Sequence, residues 1–148
     1  MDLGPEIKQS KFKTEYQKLG INLAFTASWL ETFVARNLKA HKLTGPQYNV
    51  LRILRGQGKN PASINLLTER MIDKSSNASR LVDKLVAKDL VNRRECPTDR
   101  RQVDVVITKK GLDLLAKLDA EEETWTATLK ALSASEAKEM TRLLDKLR

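Results

Sequence analysis

Five residues able to meet a polyanion, Ser75, Ser76, Asn77, Ser79 and Arg80, stand together in the stretch DKSSNASRLVDKLVAKDL. They precede and open an amphipathic run whose apolar positions are Leu81, Val82, Leu85 and Val86. At a helix N-terminus, short side chains and free backbone N–H groups can meet phosphates or base edges. Asparagine can pair bidentately with adenine, and arginine can reach guanine or phosphate. Lys84 follows on the same polar surface. The plainer alternative is that Ser75 or Ser76 only caps the helix and that Arg80 pairs with Asp83, Asp99 or Glu69.

Strand-like sequence comes next. Leu90-Val91 and the alternating Val103, Val105 and Ile107 flank a polar tip, PTDRR, which carries Arg100 and Arg101. This pattern reads as a hairpin over residues 90–107. A guanidinium at such a tip can enter a narrow, electronegative minor groove. The alternative is a solvated charged turn. Arg93, Arg94, Lys109 and Lys110 are expected phosphate neighbours, on charge and position alone. A helix suited to a major groove, followed at once by a basic hairpin, is the sequence form of a winged helix-turn-helix.

The elements that must position these residues are legible as periodicities. Tyr16, Leu19, Leu23, Ala27, Leu30, Val34 and Leu38 recur at steps of three and four, predicting one long helix over residues 13–40. Its broad apolar face needs a partner, either the C-terminal segment or another chain. In LTGPQYNVLRIL, Thr44 is placed as an N-cap, Pro46 in the first turn, and Gln47 where it can close a capping box. Gly56, Gly58, Asn60 and Pro61 stop that helix, and Ser63 caps a short one reaching Met71. A turn over residues 72–75 leads to a second helix over residues 75–88. Thr108 caps a last long helix whose apolar repeat runs through Leu132. Ser133 and Glu136 announce a final helix with a capping box.

Composition agrees with a polyanionic partner without requiring one. The chain has 148 residues, 27 Lys plus Arg against 19 Asp plus Glu, a net charge of +8 and a pI near 9.7. Such a balance favours nucleic acid or an anionic membrane surface, and basic proteins with neither partner share it. The segment MDLGPEIKQSKFK lacks the apolar core of a signal peptide, and no run is long enough to span a bilayer. Cys96 is the sole cysteine, so no intrachain disulfide can form. A soluble, cytoplasmic protein is expected.

Four phrases, LTGPQYNVLRIL, SSNASRLVDKLVAKDLVNR, TDRRQVDVVITKKG and LSASEAKEMTRLLDKL, resemble the MarR (multiple antibiotic resistance regulator) family of bacterial transcription factors, in the family's order and over nearly the whole chain. The resemblance implies a mainly α fold with a small β-hairpin wing. Residues 1–42 then form an N-terminal dimerisation helix, 43–108 a winged helix-turn-helix lobe, and 109–148 C-terminal dimerisation helices, all in one intertwined domain. It implies a homodimer on a pseudo-palindromic operator in double-stranded DNA, expected to repress, and relief by a small-molecule effector or an oxidant. The residues carried over as DNA-binding are Ser75, Ser76, Asn77, Ser79, Arg80, Lys84, Arg94, Arg100 and Arg101. Asp99, matching the family's D-x-R motif, is expected to orient an arginine, because a carboxylate facing phosphates is repelled.

Other chemistries find little support. The four nearby arginines, Arg93, Arg94, Arg100 and Arg101, can favour the Cys96 thiolate. The family's peroxide sensors, however, place their cysteine near the N-terminal helix, so a passive wing cysteine is the favoured reading. His41 has no second histidine or cysteine beside it, so no metal site or cofactor is expected. Trp29, Phe33, Tyr48 and Trp125 can line an effector cleft between the dimerisation helices and the lobe, or serve as ordinary core. No catalytic set is present, since the sole histidine stands alone and no phosphate-cradling glycine motif occurs. The competing class is a winged-helix module that binds protein or RNA. Paired wing arginines and small polar residues leading the second helix favour DNA.

Overall fold

The computed structural model describes residues 2–95 and 103–148; the side chains of residues 122, 123 and 125 lie outside that description. The chain divides into two compact units, Met1–Gly45 and Pro46–Arg148.

In the first unit a short helix α1 (Leu3–Glu6) precedes the long helix α2 (Glu15–Lys39). The sequence predicts α2 within two residues at each end. The Thr14 hydroxyl accepts the Gln17 N–H at 3.1 Å, one of the donors a helix start leaves unpaired. Leu38 is buried, yet Tyr16, Leu19, Phe25 and Trp29 are exposed. The predicted apolar face therefore exists and finds little cover within one copy of the chain.

The second unit builds the lobe. Helix α3 (Gly45–Gly56) buries Val50, Leu51 and Leu54, and Gly58 follows it with φ +63, a conformation glycine adopts without penalty. Ser63 caps α4 (Ile64–Arg70), its hydroxyl accepting the Leu66 N–H at 3.1 Å. Helix α5 (Ala78–Val86) buries Ala78, Val82 and Leu85. Strands β2 (Val91–Glu95) and β3 (Val103–Ile107) are the predicted hairpin arms. With Leu67, Met71, Val91, Val105, Leu115 and Leu118, all buried, these form the core on which the polar face of α5 is displayed.

The hairpin is not alone. Ala62 and Ser63 form a third strand, β1, which pairs antiparallel with β3 through Ala62–Val105 and Ser63–Asp104. The order is β1-β3-β2, so β3 is central. Two residues are too few to show a period of two, which is why the sequence predicts only two strands.

Thr108 caps α6 (Lys109–Thr126), its hydroxyl accepting the Gly111 N–H at 3.0 Å. The apolar repeat predicts an unbroken helix to Leu132. Instead the chain tightens into a 3-10 turn over Ala127–Ala131, a common helix ending, and Leu129 and Leu132 stay exposed. Ser133 and Glu136 close the predicted capping box of α7 (Ala134–Leu147), with Ser133 N–H donating to Glu136 Oε2 at 2.8 Å. No residue of α7 is buried. Among the described residues no helix is long and apolar enough to cross a membrane.

Candidate nucleic-acid interface

The turn into α5 is organised by Asp73. Its carboxylate accepts the Ser75 hydroxyl at 2.7 Å and the Ser75 N–H at 2.9 Å through one oxygen, and the Ser76 hydroxyl at 2.8 Å through the other. The Ser75 hydroxyl, then the Ser76 hydroxyl and the Ser75 N–H, hold this carboxyl below the usual carboxylate range. The cluster is therefore intact at neutral pH and releases only as the pH falls through that lowered value. Asn49 Oδ1 accepts the Ile72 N–H at 2.9 Å, and Lys74 Nζ donates to the Glu69 carbonyl, so both flanks of the turn are tied to earlier helices.

Two expectations change here. The sequence starts this helix at Ser75 and offers Ser75 or Ser76 as its cap; the structure starts it at Ala78 with Asn77 as cap, whose Oδ1 accepts the Arg80 N–H at 3.0 Å. A hydroxyl has one proton, and those of Ser75 and Ser76 go to Asp73. In this arrangement the two serines offer lone pairs, which suit a base amino group rather than a phosphate.

The outward row of α5 holds Ser79, Arg80, Asp83 and Lys84. Ser79 is half-buried and the other three are exposed. Arg80 and Lys84 make no ion pair among the described residues, so neither Asp83 nor Glu69 takes the Arg80 guanidinium. Asp83 is taken instead by Arg93 of β2, Nη1 to Oδ1. Arg94, opposite Asp104 in the β2–β3 register, lies 3.8 Å from that carboxylate. Cys96, Asp99, Arg100 and Arg101 lie outside the described residues.

The two lysines opening α6 have partners within the chain. Lys109 pairs with Asp113 at 3.1 Å, one turn along. Lys110 Nζ donates to the Lys88 carbonyl at 2.8 Å, a carbonyl just past the end of α5, and lies 3.6 Å from Asp89. Lys88 Nζ reaches back to Gln47 Oε1 on α3 at 3.0 Å. Asp89 takes a left-handed φ of 58, and the Thr108 hydroxyl donates to its carbonyl at 2.8 Å. Both ends of α5 are thus fastened, which fixes the direction in which Arg80 and Lys84 point.

Sequence reasoning missed the role of Asp73, the pairing of Asp83 with Arg93, and the Lys110 contact. A signal existed for the first: aspartate two residues before a serine favours a local turn closed by its own side chain. The other two join residues brought together only by the fold. Of the aromatic residues, Trp29 stacks on Phe33 with centroids 5.9 Å apart, and Tyr48 lies under Arg52 at 5.7 Å.

Because Asn77 carries the cap, its replacement has a stability cost separate from any role at a ligand. Asn77→Ala is expected to destabilise the lobe by about 1 kcal/mol, and Asn77→Ser, which keeps an acceptor, by at most a few tenths. Urea unfolding of the two variants tests this; equal midpoints would show that the cap contributes nothing.

The MarR family model matches residues 43–103, from the residue before Thr44 into β3. The HTH-type transcriptional regulator MgrA of Staphylococcus aureus is 31% identical over 110 residues, 74% of this chain and 72% of that protein. The chain belongs to the MarR family. Another relative, the HTH-type transcriptional regulator MhqR of Bacillus subtilis, is 31% identical over 98 residues, and the match spans 66% of each chain. Among solved structures, one described as showing how 6-hydroxynicotinic acid regulates DNA binding by Bordetella bronchiseptica BpsR superposes with a TM-score of 0.76 at 26% identity, over 88% of this chain and 98% of that one. MarR membership accounts for the order of elements: a long helix, the lobe with its wing strands, then two closing helices.

Proposed function

We propose that this MarR-family chain is a transcriptional regulator that binds double-stranded DNA sequence-specifically as a homodimer. The observation that carries the reading is the outward row of α5, where Arg80 and Lys84 stand exposed without ion-pair partners among the described residues, on a helix fastened at both ends. α5 enters the major groove. Asn77, Ser79 and Arg80 lie nearest the base edges, and Lys84 and Arg94 serve phosphates. Ser75 and Ser76 act as acceptors, and the wing arginines Arg100 and Arg101, oriented by Asp99, enter the adjacent minor groove.

Dimerisation follows from the unburied apolar side chains of α2 and α7. It places two α5 helices about one DNA turn, roughly 34 Å, apart on a pseudo-palindromic operator. Occlusion of a promoter makes the protein a repressor. A small effector relieves it, by analogy with BpsR, whose DNA binding 6-hydroxynicotinic acid regulates.

Selection of fragments from random DNA by the purified protein, followed by gel shift on the winners, tests the reading. A two-fold symmetric motif is expected. Affinity for it should fall about 10³-fold between about 50 and 200 mM salt if roughly six phosphates are neutralised, with the sequence preference retained. Enrichment of no motif would overturn the assignment.

A further inference from the structure

The outward row of α5 contains one acid, Asp83, and the strand that leads to the wing tip contains the arginine that covers it. Asp83 is 56% exposed, on the same face as Ser79, Arg80 and Lys84. A bare carboxylate there meets the phosphates of any duplex that α5 enters, and repels them. Arg93 lies opposite Val105 in the sheet, and its guanidinium reaches Asp83 while that of the next residue, Arg94, turns to Asp104. The two successive arginines, one expected role in the sequence, therefore serve different acids on different elements.

We propose that Arg93 is a positioning residue for DNA recognition and not itself a phosphate contact. It neutralises the carboxylate that α5 carries toward the duplex, and it ties β2, the strand leading into the wing, to α5. Helix α5 and strand β2 then meet the duplex at one fixed angle. The inference rests on the function proposed above and deepens it. A planar guanidinium suits the task, because its fork holds a carboxylate in direction as well as in distance. An exposed pair of this kind contributes little to folding, so its consequence is expected at the interface and not in the melting temperature.

The test compares wild type, Asp83→Asn, Arg93→Gln and the double variant on the selected operator duplex and on a random-sequence duplex, at two salt concentrations. Arg93→Gln is expected to weaken binding to the random duplex about ten-fold by uncovering Asp83, and the double variant to recover most of that loss. Asp83→Asn frees a cation, so its binding to the random duplex should tighten and its salt slope steepen by about one unit. All three variants lack the tie, so all should lose operator-over-random preference, by about ten-fold. If the double variant binds random DNA no better than Arg93→Gln, Arg93 is a phosphate contact and the inference falls. It falls equally if the preference is unchanged in all three. Wild type without any operator preference overturns the function itself, which separates that failure from these.

Discussion

Gly111→Ala is expected to destabilise the protein more than any other glycine-to-alanine change in the described chain. A Cβ at this position meets the Leu90 carbonyl oxygen at 2.4 Å and Ile107 Cγ1 at 2.8 Å. The first neighbour is backbone, and it already accepts the Thr108 N–H at 3.0 Å, so it cannot withdraw without opening the base of the wing. Overpacking of this kind costs about 1–3 kcal/mol and sometimes more. In a chain of this size each kcal/mol lowers the melting temperature by roughly 2–4 °C. Gly20→Ala supplies the control: it sits inside α2 with nothing within 4 Å of the added carbon, and should stabilise by roughly 0.5–1 kcal/mol. Thermal unfolding of both variants decides the matter. Equal midpoints would mean that α6 is not seated where these distances place it.

The second large effect concerns association. Helix α7 has a complete capping box and no buried residue, and Met140, Leu143 and Leu147 form a stripe that is 48–61% exposed. Isolated helices of 14 residues are marginal in water, so α7 draws most of its stability from packing. Under the proposed function that packing comes from a second copy. Leu143→Glu with Leu147→Glu is therefore expected to sediment as a monomer where the parent sediments as a dimer. Operator affinity should fall about 10²–10⁴-fold, because two half-sites are no longer engaged together. Sedimentation and gel shift on the same samples check this. A double variant that remains dimeric would move the association surface to the exposed face of α2.

Much of this molecule was legible in its sequence. Ser63, Thr108 and Ser133 cap helices where they were expected to, because capping is a local matter of one side chain and a backbone N–H two or three residues on, whereas the Thr14 cap of α2 was not anticipated. The hairpin strands and the inward residues of α5 follow from periodicity in the same way. What escaped is what depends on residues distant in sequence. β1 is too short to carry a pattern and exists because β3 passes beside it. The Lys110 contact with the Lys88 carbonyl, just past α5, joins positions 22 residues apart, so charge and position alone assigned that lysine to a phosphate. The α5 start was misplaced by three residues because three good capping types, Ser75, Ser76 and Asn77, stand in a row, and only the turn closed by Asp73 selects among them.

The junction of α5, the wing and α6 also bears on how a signal could travel. Lys110 holds the Lys88 carbonyl, Thr108 holds the Asp89 carbonyl, and Gly111 sits directly against Leu90, so three consecutive residues following α5 are gripped by the first turn of α6. Such a joint has no slack. Under the proposed function, a rotation of α6 is expected to reach α5 as a change of pitch, the junction working as a crank rather than as a cord.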